Sequence, residues 1–320
     1  VTMPASSIFG GQGSIIDLGA DMNPITRARA FQVVTLGESG ARLAGGSRAS
    51  SHALFRNALR EANQFGEDGQ IPGMASRPAE QRTGDDLPID PRLADNQTER
   101  GDDSLLTRFD AAALVPVVRG EQQLYVMVER ASDILATLAL KRDFPRLDMV
   151  LVGASEGWLV AREIAAANVP VIADGLDDLP TNFEELASTQ SNIGRMVKAG
   201  VRVAINAAAM ENPRNLNQYA GNLVALSRVP GADGLSWGQA FATITSVPAQ
   251  ISGLSGRAGM LAPGGMGDVV MWDGDPLEVG SMPTRVFIDG VEQPLESHQS
   301  RLKDRYRDLD TSDLPKGYDW

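Results

Sequence analysis

The sequence predicts a protein of the α/β class, built around a parallel β-sheet that is buried on both faces. Short segments that are apolar almost throughout, such as LYVMVE (124–129) and DMVLVG (148–153), alternate with helical segments. Strands with both faces buried lack the polar alternation of half-exposed strands. Four consecutive strand–helix units can be traced in this way. Either a doubly wound sheet or a (β/α)₈ barrel fits this order.

The individual elements follow from the same patterns. The predicted strands are 124–129, 148–153, 169–173 and 201–207, and the predicted helices are 131–143, 155–168, 183–200 and 215–226. An earlier helix is predicted over 49–64. Ser47 and Arg48 indicate its start, although these residues and Arg42, beside several glycines, would also suit an anion. The glycines of FGGQGS (9–14) do not lie between a strand and a helix, so they predict a turn and not a nucleotide-binding loop.

Two further regions lack this alternation. Residues 66–104 are polar and rich in Pro, Gly and Asp, which is typical of a long exposed loop or insertion. Near the C-terminus, Val269–Trp272 and Arg285–Ile288 are short apolar runs, each followed by an Asp-Gly pair, as in strands that end in hairpin turns. Two strands do not form a stable sheet by themselves, so these two need partners from elsewhere.

Composition excludes several classes of function. The chain has 320 residues, a formal net charge of −12 and no cysteine. The negative charge argues against nucleic acid as a partner, because phosphate binding needs a basic surface. The absence of cysteine excludes disulfides, thiolate nucleophiles and cysteine metal sites. No apolar run approaches the roughly 20 residues of a membrane span, and the first residues do not have the pattern of a signal peptide.

An ordered series of motifs near the C-terminus points to a known family. The series comprises Thr245, Pro248-Ala249, Gly253-Leu254, a G-x-L-x-P-G run from Gly259 to Gly264, WDGDPL and VFIDG. It resembles the C-terminal signature of the amidohydrolase superfamily, in its imidazolonepropionase-like branch. Gly267-Asp268 stands where the family has Ala-Asp. The resemblance extends over about 105–290, through segments such as GWLVAREIAAANVPVI and VERASDILATLAL, and loosely over 1–65.

The resemblance implies a (β/α)₈ barrel with a small β-sandwich built from both chain ends. The implied barrel covers 1–250, the C-terminal strands of the sandwich lie within 251–294, and 295–320 is a charged tail. In the family, strands 268–273 and 285–289 would pair with strands of an N-terminal segment. That segment and the first barrel strand or two are not recognisable here. We therefore expect a fragment or a processed chain, whose sandwich is completed by the missing segment or by another chain.

The resemblance also implies a metal-dependent hydrolase of C–N or related bonds. The family holds one or two divalent ions, usually zinc, through a His-x-His pair, further histidines on strands five and six and an aspartate on strand eight, all at strand ends. The matching strand ends here offer Met127 to Arg130, Val152 to Ala154 and Asn206, with no histidine. Only His52 and His298 exist in the chain, and both lie elsewhere. The usual zinc site is therefore not found in this chain.

Polar residues remain at these strand ends and are the candidate site. The proposed catalytic residues are Glu129, Glu156 and Asn206, and the proposed substrate-binding residues are Arg130, Arg214 and Asn215. Glu129 and Glu156 could share a hard cation through oxygen ligands or act as an acid–base pair. The alternative is purely structural: Glu129 pairs with Arg130, and Glu156 and Asp133 begin their helices. His52 follows two serines but is interpreted as a surface or packing residue, because neighbours on a helix point apart.

Two functions remain open. The chain is a divergent amidohydrolase that cleaves a small amide or cyclic substrate, or it is an inactive relative that binds a small ligand or supports a partner subunit. We expect a small-molecule ligand and a homo-oligomer. The compartment is not fixed by the sequence: a periplasmic or secreted location is compatible with the family, with the cytoplasm as the alternative.

Overall fold

The structure, a computed structural model, describes residues 7–19, 22–69, 105–209 and 212–307. Six strands form one sheet in the order β1-β2-β3-β4-β5-β6, and three form a second sheet in the order β7-β8-β9. The strands are β1 Phe9–Ile16, β2 Ile25–Thr35, β3 Gln123–Val128, β4 Met149–Gly153, β5 Val171–Ala173, β6 Val203–Ile205, β7 Val269–Trp272, β8 Pro283–Ile288 and β9 Val291–Gln293. The α-helices are α1 Gly37–Leu43, α2 Arg48–Asp68, α3 Arg108–Val118, α4 Ala131–Asp143, α5 Ala161–Ala166, α6 Asn192–Lys198, α7 Leu216–Ala225, α8 Trp237–Ala242, α9 Ser246–Ile251 and α10 His298–Arg305.

The large sheet confirms the predicted class. Strands β2 to β6 are parallel to one another, and β1 pairs with β2 in the antiparallel sense. Alternate residues of β4 belong to separate apolar clusters: Leu151 packs in the large cluster, and Val150 and Val152 pack in a smaller one. Since successive side chains of a strand point to opposite faces, the sheet is covered on both sides. This arrangement is a mixed α/β fold with a largely parallel sheet.

The glycine-rich start is a strand, so the prediction of a turn over FGGQGS was wrong. β1 includes Gly11, which has φ +82°, and its register against β2 is irregular at three points. At Gly13, the ring of Phe31 occupies the space that a side chain would need, because a Cβ there would lie 2.2 Å from the ring. The glycines therefore allow a bulged edge strand against an aromatic side chain.

Two predicted helices are shorter in the structure. The segment predicted as a helix over 155–168 is a short 3₁₀ turn, Gly157–Val160, followed by α5. Of the helix predicted over 183–200, only α6 forms, and residues 183–191 are turns. The polar groups of 183–191 bond to neighbouring loops instead of to a helical backbone, as described below. Tertiary contacts thus override the local helix preference of this segment.

Other boundaries also differ from the sequence analysis. α2 continues to Asp68 and ends at Gly69, so 66–68 are helical, and the rest of the predicted loop, 70–104, lies outside the described residues. α3 was not predicted, because Pro116 interrupts its pattern near the helix end. The charged tail forms α10, and 308–320 lie outside the described residues.

The C-terminal strands pair with each other. β7 is antiparallel to β8, and β8 is antiparallel to β9, a strand that the sequence analysis missed. Within the described residues, no strand of the N-terminal part pairs with them. An exposed ion pair joins Arg285 and Glu292 at 2.7 Å across β8 and β9. Among the described residues, no helix is both long and apolar enough to span a membrane.

Candidate functional site

The ends of the parallel strands bring four polar side chains into one region. The strand register aligns Val128 with Gly153, Gly153 with Ala173, and Ala173 with Ile205, so that β3 to β6 end side by side. The residues that follow this row include Glu129, Ser155, Asp174 and Asn206, which we call the strand-end site. The carboxyl edge of a parallel sheet is where α/β proteins place their ligands and catalytic groups.

Glu129 is the most buried acid of the strand-end site. Its Oε2 accepts hydrogen bonds from the Ser155 backbone N–H at 3.0 Å and from the Ser155 hydroxyl at 2.7 Å. Burial raises the pKa of Glu129 to about 7, against the lowering effect of Ser155, and the negative charges of Asp174 and Glu185 raise it further. A carboxyl group that titrates near neutrality can both donate and accept a proton under physiological conditions.

Asp174 is the second acid with a shifted titration. The Asn206 side-chain amide donates to its Oδ1 at 2.9 Å. Burial raises the pKa of Asp174 to about 6, and the charges of Asp177 and Glu185 add to this effect. Burial and the charge of Glu185 also raise the pKa of Asp177. We call Glu129, Asp174, Asp177 and Glu185 the acidic cluster.

Glu156, a predicted catalytic residue, contacts backbone and is only 8% exposed. Its Oε2 accepts the Ala131 N–H at 3.0 Å, at the start of α4, and its Oε1 accepts the Ala187 N–H at 3.3 Å. The carboxylate therefore caps a helix other than its own, where a negative charge is favoured. It joins α4 to the segment after β5.

Arg130 does not pair with Glu129 within the described residues, so that predicted ion pair is not observed. Its guanidinium lies 3.5 Å from Glu38 on α1, and Nη2 donates to the Phe183 carbonyl. The side chain is 22% exposed. Arg130 thus joins the end of β3 to α1 and to the segment around Phe183.

Arg214 and Asn215 form an exposed 3₁₀ turn before α7. The backbone N–H of Arg214 donates to the Asn212 side chain at 3.1 Å. No hydrogen bond or ion pair joins either residue to the acidic cluster within the described part of the chain. Their role in substrate binding stays a prediction. Glu211, another polar residue of this stretch, lies outside the described residues.

The two histidines lie away from the strand-end site. His52 on α2 lies 3.4 Å from Asp133 on α4, and Arg48 contacts the same carboxylate at 2.9 Å. Burial alone would raise the pKa of Asp133, but His52 and Arg48 outweigh it and lower the pKa. The Ser51 hydroxyl donates to the Arg48 carbonyl at 2.8 Å. The Ser47 side chain caps α2 by accepting a hydrogen bond from the backbone N–H of Ser50.

The donor set at the strand ends does not fit a histidine-held zinc ion. His298 lies on α10 and His52 faces Asp133, so neither imidazole reaches these strand ends. Among the described residues, no group of three or more His, Cys, Asp or Glu side chains could hold a metal ion. Both oxygens of Glu156 are bonded to backbone N–H groups, which leaves it poorly placed to share a cation with Glu129.

Two concave surfaces lie elsewhere. One cavity of about 510 Å³ lies beside β1, between residues such as Phe9, Leu54 and Leu114. A second of about 680 Å³ lies beside Trp158, where Arg195 stacks on the indole at 4.3 Å. Neither is lined by Glu129, Ser155, Asp174 or Asn206.

Sequence analysis missed several residues of this region, namely Ser155, Glu38, Glu184 and Glu185. Ser155 follows the end of β4, so the strand-end rule that selected Glu129 would have selected it too. Glu184 and Glu185 were hidden by the prediction of a helix over 183–200. The position of Glu185 in the acidic cluster, and that of Glu184 near Glu38, depend on the turn structure that replaces that helix.

Comparison with known proteins agrees with the fold and the C-terminal motifs. Residues 181–292 match the model of the Amidohydrolase family, Amidohydro_3. Over 60 residues, 19% of this chain, the sequence is 43% identical to amidohydrolase tasK of Hapsidospora irregularis, and the match spans 6% of that protein. The crystal structure of an amidohydrolase from Thermotoga maritima superposes with a TM-score of 0.71 at 22% identity, covering 90% of this chain and 69% of that one.

The family match covers residues 181–292, and the fold is similar to that of a solved amidohydrolase. The matched segment 181–292 includes Asn206 but not Glu129, Ser155 or Asp174. The family match thus rests on the C-terminal part of the chain, and the chemistry of the acidic cluster has to be argued from its own geometry.

Proposed function

We propose that this protein is a divergent amidohydrolase that cleaves a C–N bond of a small amide or cyclic substrate at the strand-end site. The observation that supports this proposal is the buried Glu129 carboxyl, whose pKa of about 7 suits general acid–base catalysis. The match of residues 181–292 to the Amidohydrolase family supports this class of reaction. The proposed architecture is a (β/α)₈-type barrel over 1–250 and a small β-sandwich unit over 251–294.

Each residue of the site has a proposed role. Glu129 moves the proton, taking it from the attacking water and returning it to the leaving nitrogen. Ser155 fixes the carboxyl through two hydrogen bonds, and Asn206 orients Asp174. Glu156 is a positioning residue, because both its oxygens bind backbone N–H groups. Arg214 and Asn215 are exposed and available to bind the substrate.

The test is hydrolysis of a panel of N-acyl amino acids, amino-acid amides and cyclic ureides by protein treated with a chelator. Glu129→Gln should lower kcat by roughly 10²- to 10⁴-fold, the usual contribution of a general acid–base group. Glu163→Gln is the matched control, because Glu163 is an exposed acid on α5. Full activity of Glu129→Gln would refute the role of Glu129. The proposed roles involve no metal ion, so loss of activity on chelation, with recovery on adding zinc, would refute them.

A second candidate is an inactive superfamily member that binds a small ligand or supports a partner subunit. It is favoured by the state of Asn206, whose amide donates to Asp174 and whose carbonyl accepts the Ala208 N–H at 3.1 Å. Glu156 and Glu129 also have partners, so all three predicted catalytic residues are already bonded within the protein. This candidate predicts ligand-induced shifts in Tm across the same panel without turnover, and no bound zinc by mass spectrometry.

A further inference from the structure

The segment between β5 and α6, residues 174–191, starts at Asp174 of the strand-end site, and the charge of its Glu185 acts on Glu129; we call this segment the β5–α6 loop. Four polar contacts attach residues 183–187 of this loop to other elements. Arg130 donates to the Phe183 carbonyl, and the Glu184 carboxylate accepts the Glu38 N–H of α1 at 2.7 Å. Ala187 donates its N–H to Glu156 at 3.3 Å, and its carbonyl accepts the Trp158 indole N–H at 2.8 Å.

Apolar packing holds the start of this loop, where Leu176 packs against the large apolar cluster. Further along, Leu179, Phe183 and Leu186 are 78%, 74% and 65% exposed. Segments with few buried apolar contacts open at low free-energy cost, well below that of global unfolding. Polar contacts, among them those of Arg130 and Glu156, therefore hold the middle of the loop in place.

The acidic cluster joins this loop to the sheet. Asp174, Asp177 and Glu185 belong to the loop, and Glu129 belongs to the sheet edge beneath it. The pKa of Glu129 is shifted by Ser155, Asp174 and Glu185. The pKa of Asp174 is shifted by Asn206, Asp177 and Glu185. Every charged group in both sets is an acid.

The basic side chain at this edge faces another part of the loop. Arg130 lowers the pKa of Glu184, whose overall pKa is nevertheless raised by burial and by the charges of Glu38 and Asp133. Arg130 is not among the groups that shift the pKa of Glu129 or of Asp174. When the cluster ionises, like charges would therefore repel across the contact between loop and sheet.

We propose that the β5–α6 loop is a lid over the strand-end site, held shut by Arg130 and Glu156 and released when Glu129 and Asp174 lose their protons. The site beneath it is the one proposed above. The motion itself requires no substrate, so it can be tested even if the proposed hydrolysis is wrong. An open lid would expose Glu129 to solvent and to a ligand.

The size of the effect follows from linkage. The pKa of Glu129 is about 7 with the loop in place, against 4.5 for the free group. The closed form therefore binds the proton more tightly, and rising pH favours the open form between these two values. For Glu129 alone, the opening equilibrium constant should rise at least about tenfold between pH 5 and pH 7.

Hydrogen exchange measured by mass spectrometry at pH 5, 6 and 7, corrected for the intrinsic rate, tests the lid. The peptide covering 178–190 should exchange at least about tenfold faster at pH 7 than at pH 5, and a peptide from α4 should not change. Glu129→Gln keeps the shape of the side chain but cannot ionise, so it should reduce this dependence. Glu163→Gln, a change of the same type on the exposed face of α5, should behave like wild type.

Arg130→Gln tests the lid independently of Glu129. Loss of this contact should accelerate exchange of 178–190 at pH 5, where the wild-type loop is protected. The proposal is overturned if exchange of 178–190 is independent of pH and unchanged in both variants. It is also overturned if the α4 peptide accelerates in parallel, because that result would mean global unfolding and not motion of a lid.

Discussion

Replacing Gly153 with alanine tests how closely Glu129 packs against the end of β4. Gly153 has φ +89°, a conformation that L-residues rarely adopt. A Cβ at this position would lie 1.9 Å from Oε1 of Glu129. The alanine variant therefore has two costs, one in backbone strain and one in displacement of a buried carboxyl group.

The two costs can be separated by size. Backbone strain at a positive φ costs about 1–2 kcal/mol. Displacing Glu129 breaks its two hydrogen bonds with Ser155, at about 1 kcal/mol each. Gly153→Ala should therefore lower the free energy of unfolding by about 3–4 kcal/mol. Gly200 is a matched control, because it has φ +91° and a Cβ there would meet nothing within 4 Å, so Gly200→Ala should cost only the strain of about 1–2 kcal/mol.

Urea unfolding of both variants measures the difference. In a double-mutant cycle, Gly153→Ala should cost less in a Glu129→Ala background, because the clashing side chain is gone. Equal losses for Gly153→Ala and Gly200→Ala would refute the packing of Glu129 against β4. An unchanged cost in the Glu129→Ala background would refute it as well.

Three further predictions concern a helix cap, a buried carboxylate and the response to pH. Ser47→Ala should destabilise the protein by about 1 kcal/mol, measured by urea unfolding, because it removes the cap of α2. Glu156→Gln should cost about 1–2 kcal/mol, because one of two backbone N–H groups loses its acceptor, while exposed Glu163→Gln should leave Tm unchanged. Because the folded state raises the pKa of Glu129 to about 7 and of Asp174 to about 6, it binds more protons than the unfolded chain, so the contribution of both acids to stability should fall from about pH 4 to pH 7. Glu129→Gln should flatten this fall in a series of unfolding curves.

The sequence was most informative where apolar runs are long enough to bury both faces of a strand. β3, β4 and α4 lie within a residue or two of their predicted bounds, because apolar content and helix period agree there. β1 was missed because its glycines resemble a turn until Phe31 is known to pack against Gly13. Such a contact between distant residues has no local signal in the sequence.

The position of the site was partly predictable for a similar reason. Strand ends can be located from the sequence, and Glu129, Glu156 and Asn206 do lie near the edge of the sheet where β3, β4 and β6 end. The rule does not say which oxygen bonds to which backbone group. The two contacts of Glu156 depend on the loop geometry near Ala187, in a segment where local preference wrongly favoured a helix.

The lid and the proposed chemistry are connected through one carboxyl group. A base that activates water must be ionised, and an acid that protonates a leaving nitrogen must carry a proton. With the loop shut, burial holds the pKa of Glu129 near 7, whereas solvent would return it toward 4.5. Closure thus converts a carboxylate that accepts a proton into an acid able to return it. Arg130→Gln, which frees the loop, should therefore lower the apparent pKa that Glu129 gives to the profile of kcat against pH. An unchanged apparent pKa would mean that the loop does not control catalysis.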